Sequence, residues 1–161
     1  MEDLLREASE AVKKAFEAQG LETKPLVLVT PEEDSEGECP TSVFFLSDES
    51  VWVLRLQPNP SIDLVTAQIA YRLHLPKEDF DAAELERTLA AVDRESLAKM
   101  WTARSPTETA HVVEISFLLH AGSPAGLVAH LEATVPGITH LIRFACWGLL
   151  RQLGVVARQN E

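Results

Sequence analysis

Leu64-Val65-Thr66-Ala67-Gln68-Ile69-Ala70-Tyr71-Arg72-Leu73-His74-Leu75 is the stretch whose reading decides the fold. Val65, Ala67, Ile69, Tyr71, Leu73 and Leu75 stand at every second position, with Thr66, Gln68, Arg72 and His74 between them. Side chains of a strand alternate between faces, so the pattern predicts a long strand with one face buried and one in water. Its pairing partners stand upstream. Ser42 to Leu46 and Val51 to Gln57 are β-rich, and the short polar Ser47-Asp48-Glu49-Ser50 between them predicts a hairpin. Pro58-Asn59-Pro60 is expected to end that pairing, and Pro25-Leu26-Val27-Leu28-Val29-Thr30 reads as a further strand.

Downstream, Asp81 is a good helix N-cap and Glu84 stands three residues later, a capping box, with Phe80 placed to pack on Leu85 as a hydrophobic staple. Leu85, Leu89 and Val92 supply the buried stripe of a helix ending near Arg94 to Ser96. Leu97 to Ala103 and His111 to Leu119 then read as strands, joined by Arg104-Ser105-Pro106-Thr107-Glu108 in an antiparallel hairpin. The chain opens with a helix over 3–19, its stripe made by Leu4, Leu5, Ala8, Val12, Ala15 and Phe16, and Gly20 stops it. It closes with a helix started by Ser123-Pro124, a capping serine before a proline at the first helical position. Leu127, Val128 and Leu131 begin its stripe, and Leu141, Ala145, Leu149 and Leu150 continue it. Val135-Pro136-Gly137 lies between them and predicts a break or sharp kink.

The order is α-β-β-β-(β)-α-β-β-α. Short connections between strands favour an α+β fold, an antiparallel sheet of five or six strands with helices packed on it. No repeat or long linker divides residues 1–161, so one domain is expected.

The charge excludes some partners. Twenty-five acidic residues against 14 basic ones leave −11, which opposes direct nucleic-acid binding and binding to anionic membranes and favours basic partners. Glu32, Glu33, Asp34, Glu36 and Glu38 crowd residues 31–40, which read as a mobile acidic loop. Met1-Glu2-Asp3-Leu4-Leu5-Arg6 lacks the basic region and apolar stretch of a signal peptide. Ile138 to Leu150 is interrupted by His140 and Arg143 and is too short to span a bilayer, so a cytoplasmic protein is expected. Cys39 and Cys146 have no short spacing that suggests a disulfide framework or zinc site.

There is no Gly-rich phosphate loop, and Gly122-Ser123-Pro124-Ala125-Gly126 fails as a nucleophile elbow, leaving Ser123 as a helix cap. His74, His111, His120, His130 and His140 include no pair three or four residues apart, so neither a metal nor a cofactor is expected. Asp63 and Glu114 stand out among the carboxylates. Glu114 alternates with Ser116 and is expected on the open side of the sheet. Trp52 shares its alternation with Leu54 and Leu56, whereas Trp101 shares its own with Lys99 and Ala103. Trp101 beside Met100 is therefore a candidate protein-contact residue, since aromatic residues and Met are enriched at interfaces.

The stretch from Asp81 to Ser96, through Lys99-Met100-Trp101-Thr102-Ala103 and His111-Val112-Val113-Glu114-Ile115-Ser116-Phe117, into Gly122-Ser123-Pro124 and the last helix, resembles the YbjN-like proteins of the type III secretion chaperone-like fold. Val92-Asp93-Arg94-Glu95 is similar to the end of the corresponding helix in that family, with Asp93 where asparagine is usual. The resemblance implies a homodimer that holds partner segments on an exposed sheet and helix surface, without enzymatic activity or fixed catalytic residues. The chain is also similar to the family's deinococcal member, linked to a single-stranded DNA-binding protein of the DNA-damage response, which implies indirect contact with DNA. The acidic loop at 31–40, the additional strand and the Val135-Pro136-Gly137 break depart from the family pattern.

The expectation is a non-catalytic adaptor or chaperone-like module. Its dimer or partner surface is placed on 81–103, with Leu89, Val92, Met100 and Trp101 as contact residues. Two alternatives stand beside it. One is a small enzyme with a cryptic carboxylate or histidine site at Glu114 or His120. The other is a direct nucleic-acid binder using Arg143, Arg151 and Arg158, which are seven or eight residues apart and on one helix would share a face.

Overall fold

Among the described residues three helices and six strands follow one another as α1 (Glu2–Ala18), β1 (Val27–Val29), β2 (Thr41–Phe45), β3 (Val51–Asn59), β4 (Leu64–Pro76), α2 (Ala82–Glu95), β5 (Lys99–Ala103), β6 (Ala110–Ala121) and α3 (Pro124–Gln152). The computed structural model describes residues 1–29, 39–59, 61, 64–105 and 107–155. Most of the acidic loop, Asp63 and Arg158 lie outside them. The strands form a six-stranded antiparallel sheet in the order β1-β2-β3-β4-β6-β5. The expected α+β architecture is present, and the parenthesised strand is a full member of the sheet. No helix among the described residues is long and apolar enough to cross a membrane.

The contacts gather in two compact units, Met1–Ala70 with Leu118–Ile138, and Tyr71–Phe117 with Thr139–Glu161. In the first, α1 carries its stripe as expected: Leu5, Ala8, Val12, Ala15 and Phe16 are buried. The Phe16 ring meets Phe44 of β2 edge-on at 5.6 Å and Trp52 of β3 at 5.5 Å. Gly20 adopts a positive φ of 78°. That lets the Leu21 N–H donate to Phe16 O and the Gly20 N–H to Glu17 O, both at 3.0 Å, a Schellman ending that only a residue without Cβ adopts freely. The β2–β3 hairpin forms with Phe44 opposite Trp52 and Thr41 opposite Arg55. Its second strand runs on through Pro58 to Asn59, beyond the expected end.

In the second unit, the cap of α2 is the one read from the sequence: Asp81 Oδ2 accepts from the Glu84 N–H at 3.1 Å. Phe80 O accepts a further bond at 3.0 Å from His111 Nε2. A carbonyl only accepts, so that nitrogen carries the proton and His111 acts as a structural latch. Leu85 and Leu89 are buried, as are Ala98, Met100, Val113 and Ile115 of the segments that follow. The β5–β6 hairpin pairs Met100 with Ile115 and Trp101 with Glu114.

Two expectations are corrected. Glu114 is not on an open side of the sheet: it is 3% exposed, and Ser116 is buried with it. Val112 through Ser116 are all buried, so this inner strand is covered on both faces, and Arg72 Nε donates to Glu114 Oε1 at 3.1 Å. Nor does α3 break at Val135-Pro136-Gly137; it is one helix with Pro136 inside it. Proline removes one N–H and leaves the carbonyl of residue 132 without its helical donor. Here Glu132, Pro136 and Gly137 are on the exposed side, which leaves that carbonyl on the side open to solvent, while Leu131, Val135 and Ile138 carry the buried stripe.

Candidate protein-docking site

The second unit presents an apolar groove between the junction of α2 with β5 and the second half of α3. The junction is built by a few polar side chains. Asp93, near the end of α2, accepts the Met100 N–H at 3.2 Å through Oδ1, and its Oδ2 faces Lys99 Nζ at 3.7 Å. Ser96 leaves the helix in an extended conformation and its Oγ accepts the Ala98 N–H at 3.1 Å. With the chain held at both points, Ala98 and Met100 turn inward and Leu97 is left 77% exposed.

The facing wall comes from α3. Ile142, Ala145 and Leu149 form its buried stripe, but the adjoining positions are also apolar. Leu141 is exposed, although the helical spacing placed it in the stripe; Phe144 is 66% exposed and Trp147 46%. The Phe144 and Trp147 rings lie 6.2 Å apart at a 34° tilt, and the Arg151 guanidinium sits 5.4 Å from the centre of the Trp147 ring. Val92, Leu97, Ala98, Leu141, Phe144 and Gly148 line a groove of about 340 Å³. A water molecule's share of the liquid is about 30 Å³, so the groove has room for side chains.

Of the four contact residues expected from sequence, Leu89 and Met100 are buried, Val92 is half-buried in the groove wall, and Trp101 is exposed on β5. The sequence reading missed Leu97, Phe144 and Trp147. The overlooked signal was that α3 stays apolar around more than one stripe, which in a helix at a protein surface marks a second buried or docking face.

Glu114 is engaged with Arg72, and Arg72 is 32% exposed. His120 Nδ1 shares a hydrogen bond of 2.9 Å with Thr66 Oγ1. His74, His130 and His140 are exposed, as are Arg143 and Arg151. Ser123 caps α3 by accepting the Gly126 N–H at 3.1 Å. Cys39 and Cys146 are free thiols, and burial pushes Cys146 up from 9.0 to about 11. Among the described residues no group of three or more His, Cys, Asp or Glu is placed to hold a metal.

No family model matches the chain, and no curated protein does. Among solved structures the chain is similar to an uncharacterized protein from Methanothermobacter thermautotrophicus, with a TM-score of 0.47 and 13% identity, over 91% of this chain and 99% of that one.

Proposed function

We propose that this chain is a non-catalytic protein-binding module, of the adaptor or chaperone-like kind, that holds a partner protein in the groove between the α2–β5 junction and α3. The observation that carries the reading is the cluster of exposed Leu97, Leu141, Phe144 and Trp147 around that groove. Single exposed apolar residues are ordinary, whereas adjoining large ones beside a groove mark an interaction surface. Aromatic anchors next to a cavity are also what binding hot spots are made of. The resemblance to YbjN-like proteins points the same way.

Affinity capture from the native cell, run in parallel with the wild-type chain and a Phe144→Ser/Trp147→Ser variant, tests the reading. Both positions are exposed, so the variant keeps the wild-type circular dichroism spectrum. Proteins retained by the wild type and lost by the variant are the expected result. Recovery of the same proteins in equal amounts by both chains would overturn it.

A second reading, homodimerisation, is favoured by one separate observation: β5 ends the sheet and carries Trp101 exposed on it. A strand with one unpaired edge is a template for a second copy. Light scattering at micromolar concentration should give twice 17.8 kDa. A stable monomer would remove this reading and leave the first intact.

A further inference from the structure

Deepening the docking reading above, on which it rests, we infer that the occupant of the groove is an acidic amphipathic segment of a partner protein. The chain carries −11 overall, yet from Ala133 to Asn160 it contains no Asp or Glu, and within that stretch stand Arg143, Arg151 and Arg158. From His140 to Arg151 the exposed positions of α3 are therefore apolar, basic or histidine: His140, Leu141, Arg143, Phe144, Trp147 and Arg151, of which Leu141 and Phe144 line the groove. On the other wall the described carboxylate of Asp93 faces Lys99.

An apolar groove walled by a helix whose exposed charges are arginines complements a segment whose apolar side enters the groove and whose flanks are Asp or Glu. A helix laid in a groove offers anchors at i, i+3 or i+4 and i+7, and its other positions reach the rim. Arg151, stacked on Trp147, is already held where it extends the aromatic surface and offers N–H groups to a carboxylate. The negative charge elsewhere does not cancel this. At physiological salt, charges more than about 8 Å apart through solvent are largely screened, so the rim sets the local preference.

A second copy of this chain fits less well, because pairing this face with itself would set arginine against arginine. A nucleic acid fits less well too, because an apolar groove with two described arginines on one of its walls' helices offers few phosphate contacts.

The test uses the full-length chain and three fluorescein-labelled probes, read by anisotropy. The first is a helix-forming peptide with Leu and Phe at i, i+4 and i+7 and Glu at its flanks. The second has the same apolar positions with Lys flanks, and the third is an oligothymidylate strand. The acidic peptide should bind at least tenfold more tightly than the basic one and weaken as salt is raised. Arg143→Glu/Arg151→Glu should reverse that order, and Phe144→Ser should weaken both peptides.

Equal binding of the two peptides, or preference for the basic one, would overturn the acidic occupant while leaving the groove as a docking site. Binding of neither peptide would overturn it as well, and the capture experiment then decides whether the docking reading falls too. Tighter binding of the oligothymidylate, lost in Arg143→Glu/Arg151→Glu, would replace it with a nucleic acid. Self-association abolished by Phe144→Ser would replace it with a second copy.

Discussion

Arg72→Met should destabilise the protein more than Glu114→Met, although the two replacements remove the same ion pair. Glu114 is 3% exposed and Arg72 32%, with Arg72 Nε 3.1 Å from Glu114 Oε1. Removing the arginine leaves a carboxylate that water barely reaches; removing the carboxylate leaves a guanidinium that is one-third in solvent. Breaking a buried pair costs about 3–5 kcal/mol, whereas exposed pairs contribute about 0.2–1 kcal/mol. Because Arg72 is partly screened, Arg72→Met falls below the buried range, at about 2–3 kcal/mol, and Glu114→Met at about 0–1 kcal/mol. With a urea m-value of about 2 kcal/mol/M, the first shifts the midpoint down by roughly 1–1.5 M. The double variant should lie close to Glu114→Met alone, since no buried charge is left to compensate. Urea unfolding at pH 7, followed by tryptophan fluorescence and far-UV circular dichroism together, gives the comparison, and coincident transitions license a two-state reading. A larger loss from Glu114→Met than from Arg72→Met would refute the reasoning, as would a double variant that loses the sum of the two.

Three further outcomes follow from the same structure. Gly137→Ala should stabilise by about 0.5–1 kcal/mol in a thermal melt, because the residue lies inside an exposed helical turn and an added Cβ meets nothing within 4 Å; a loss would mean that α3 needs a flexible residue after Pro136. Asp93→Asn should retain the bond from the Met100 N–H and lose only the partly exposed pair with Lys99, whereas Asp93→Ala should cost about 1–2 kcal/mol, so equal urea midpoints for the two would contradict the clamp. Cys146, raised from 9.0 to about 11 by burial, is favoured as the neutral thiol in the folded state. Its contribution to stability is present below pH 9 and is lost between pH 9 and 11, and in a Cys39→Ser background its alkylation rate should keep rising toward pH 11 in native protein but level near 9 in urea. A native profile levelling near 9 would show the thiol to be in contact with solvent.

What the sequence made legible, and what it hid, divides along one physical line. Local devices were readable because each is written in adjacent residues: the Asp81 cap, the Gly20 ending, the β2–β3 turn and the Ser123-Pro124 start are all found where they were expected. Periodicity also served where an element has one wet face, as on α1. It failed where both faces are covered. Alternation assigned Glu114 to water because it stands between Val113 and Ile115, and nothing local reveals that Arg72, 42 residues earlier, provides its partner. Pro136 misled in the opposite direction. A proline inside a helix is costly when the orphaned carbonyl is buried, and the sequence does not say which side of the helix it occupies until the stripe through Leu131, Val135 and Ile138 is placed against a core.

The groove falls between these cases. Leu97, Phe144 and Trp147 are apolar residues left over after the core has taken what it needs, and from sequence such residues are indistinguishable from core. Only the placement of Asp93 and Ser96, which hold the α2–β5 junction and push Leu97 outward, shows that the surplus is exposed. The charge pattern was legible all along but carried no direction. The absence of acids from Ala133 to Asn160 reads as chance in a chain of −11 until the same stretch proves to supply the exposed aromatic wall. A chain of −11 whose exposed aromatic wall stands in its longest acid-free stretch has its charge unevenly placed, and that placement is what favours an acidic segment as the groove's occupant.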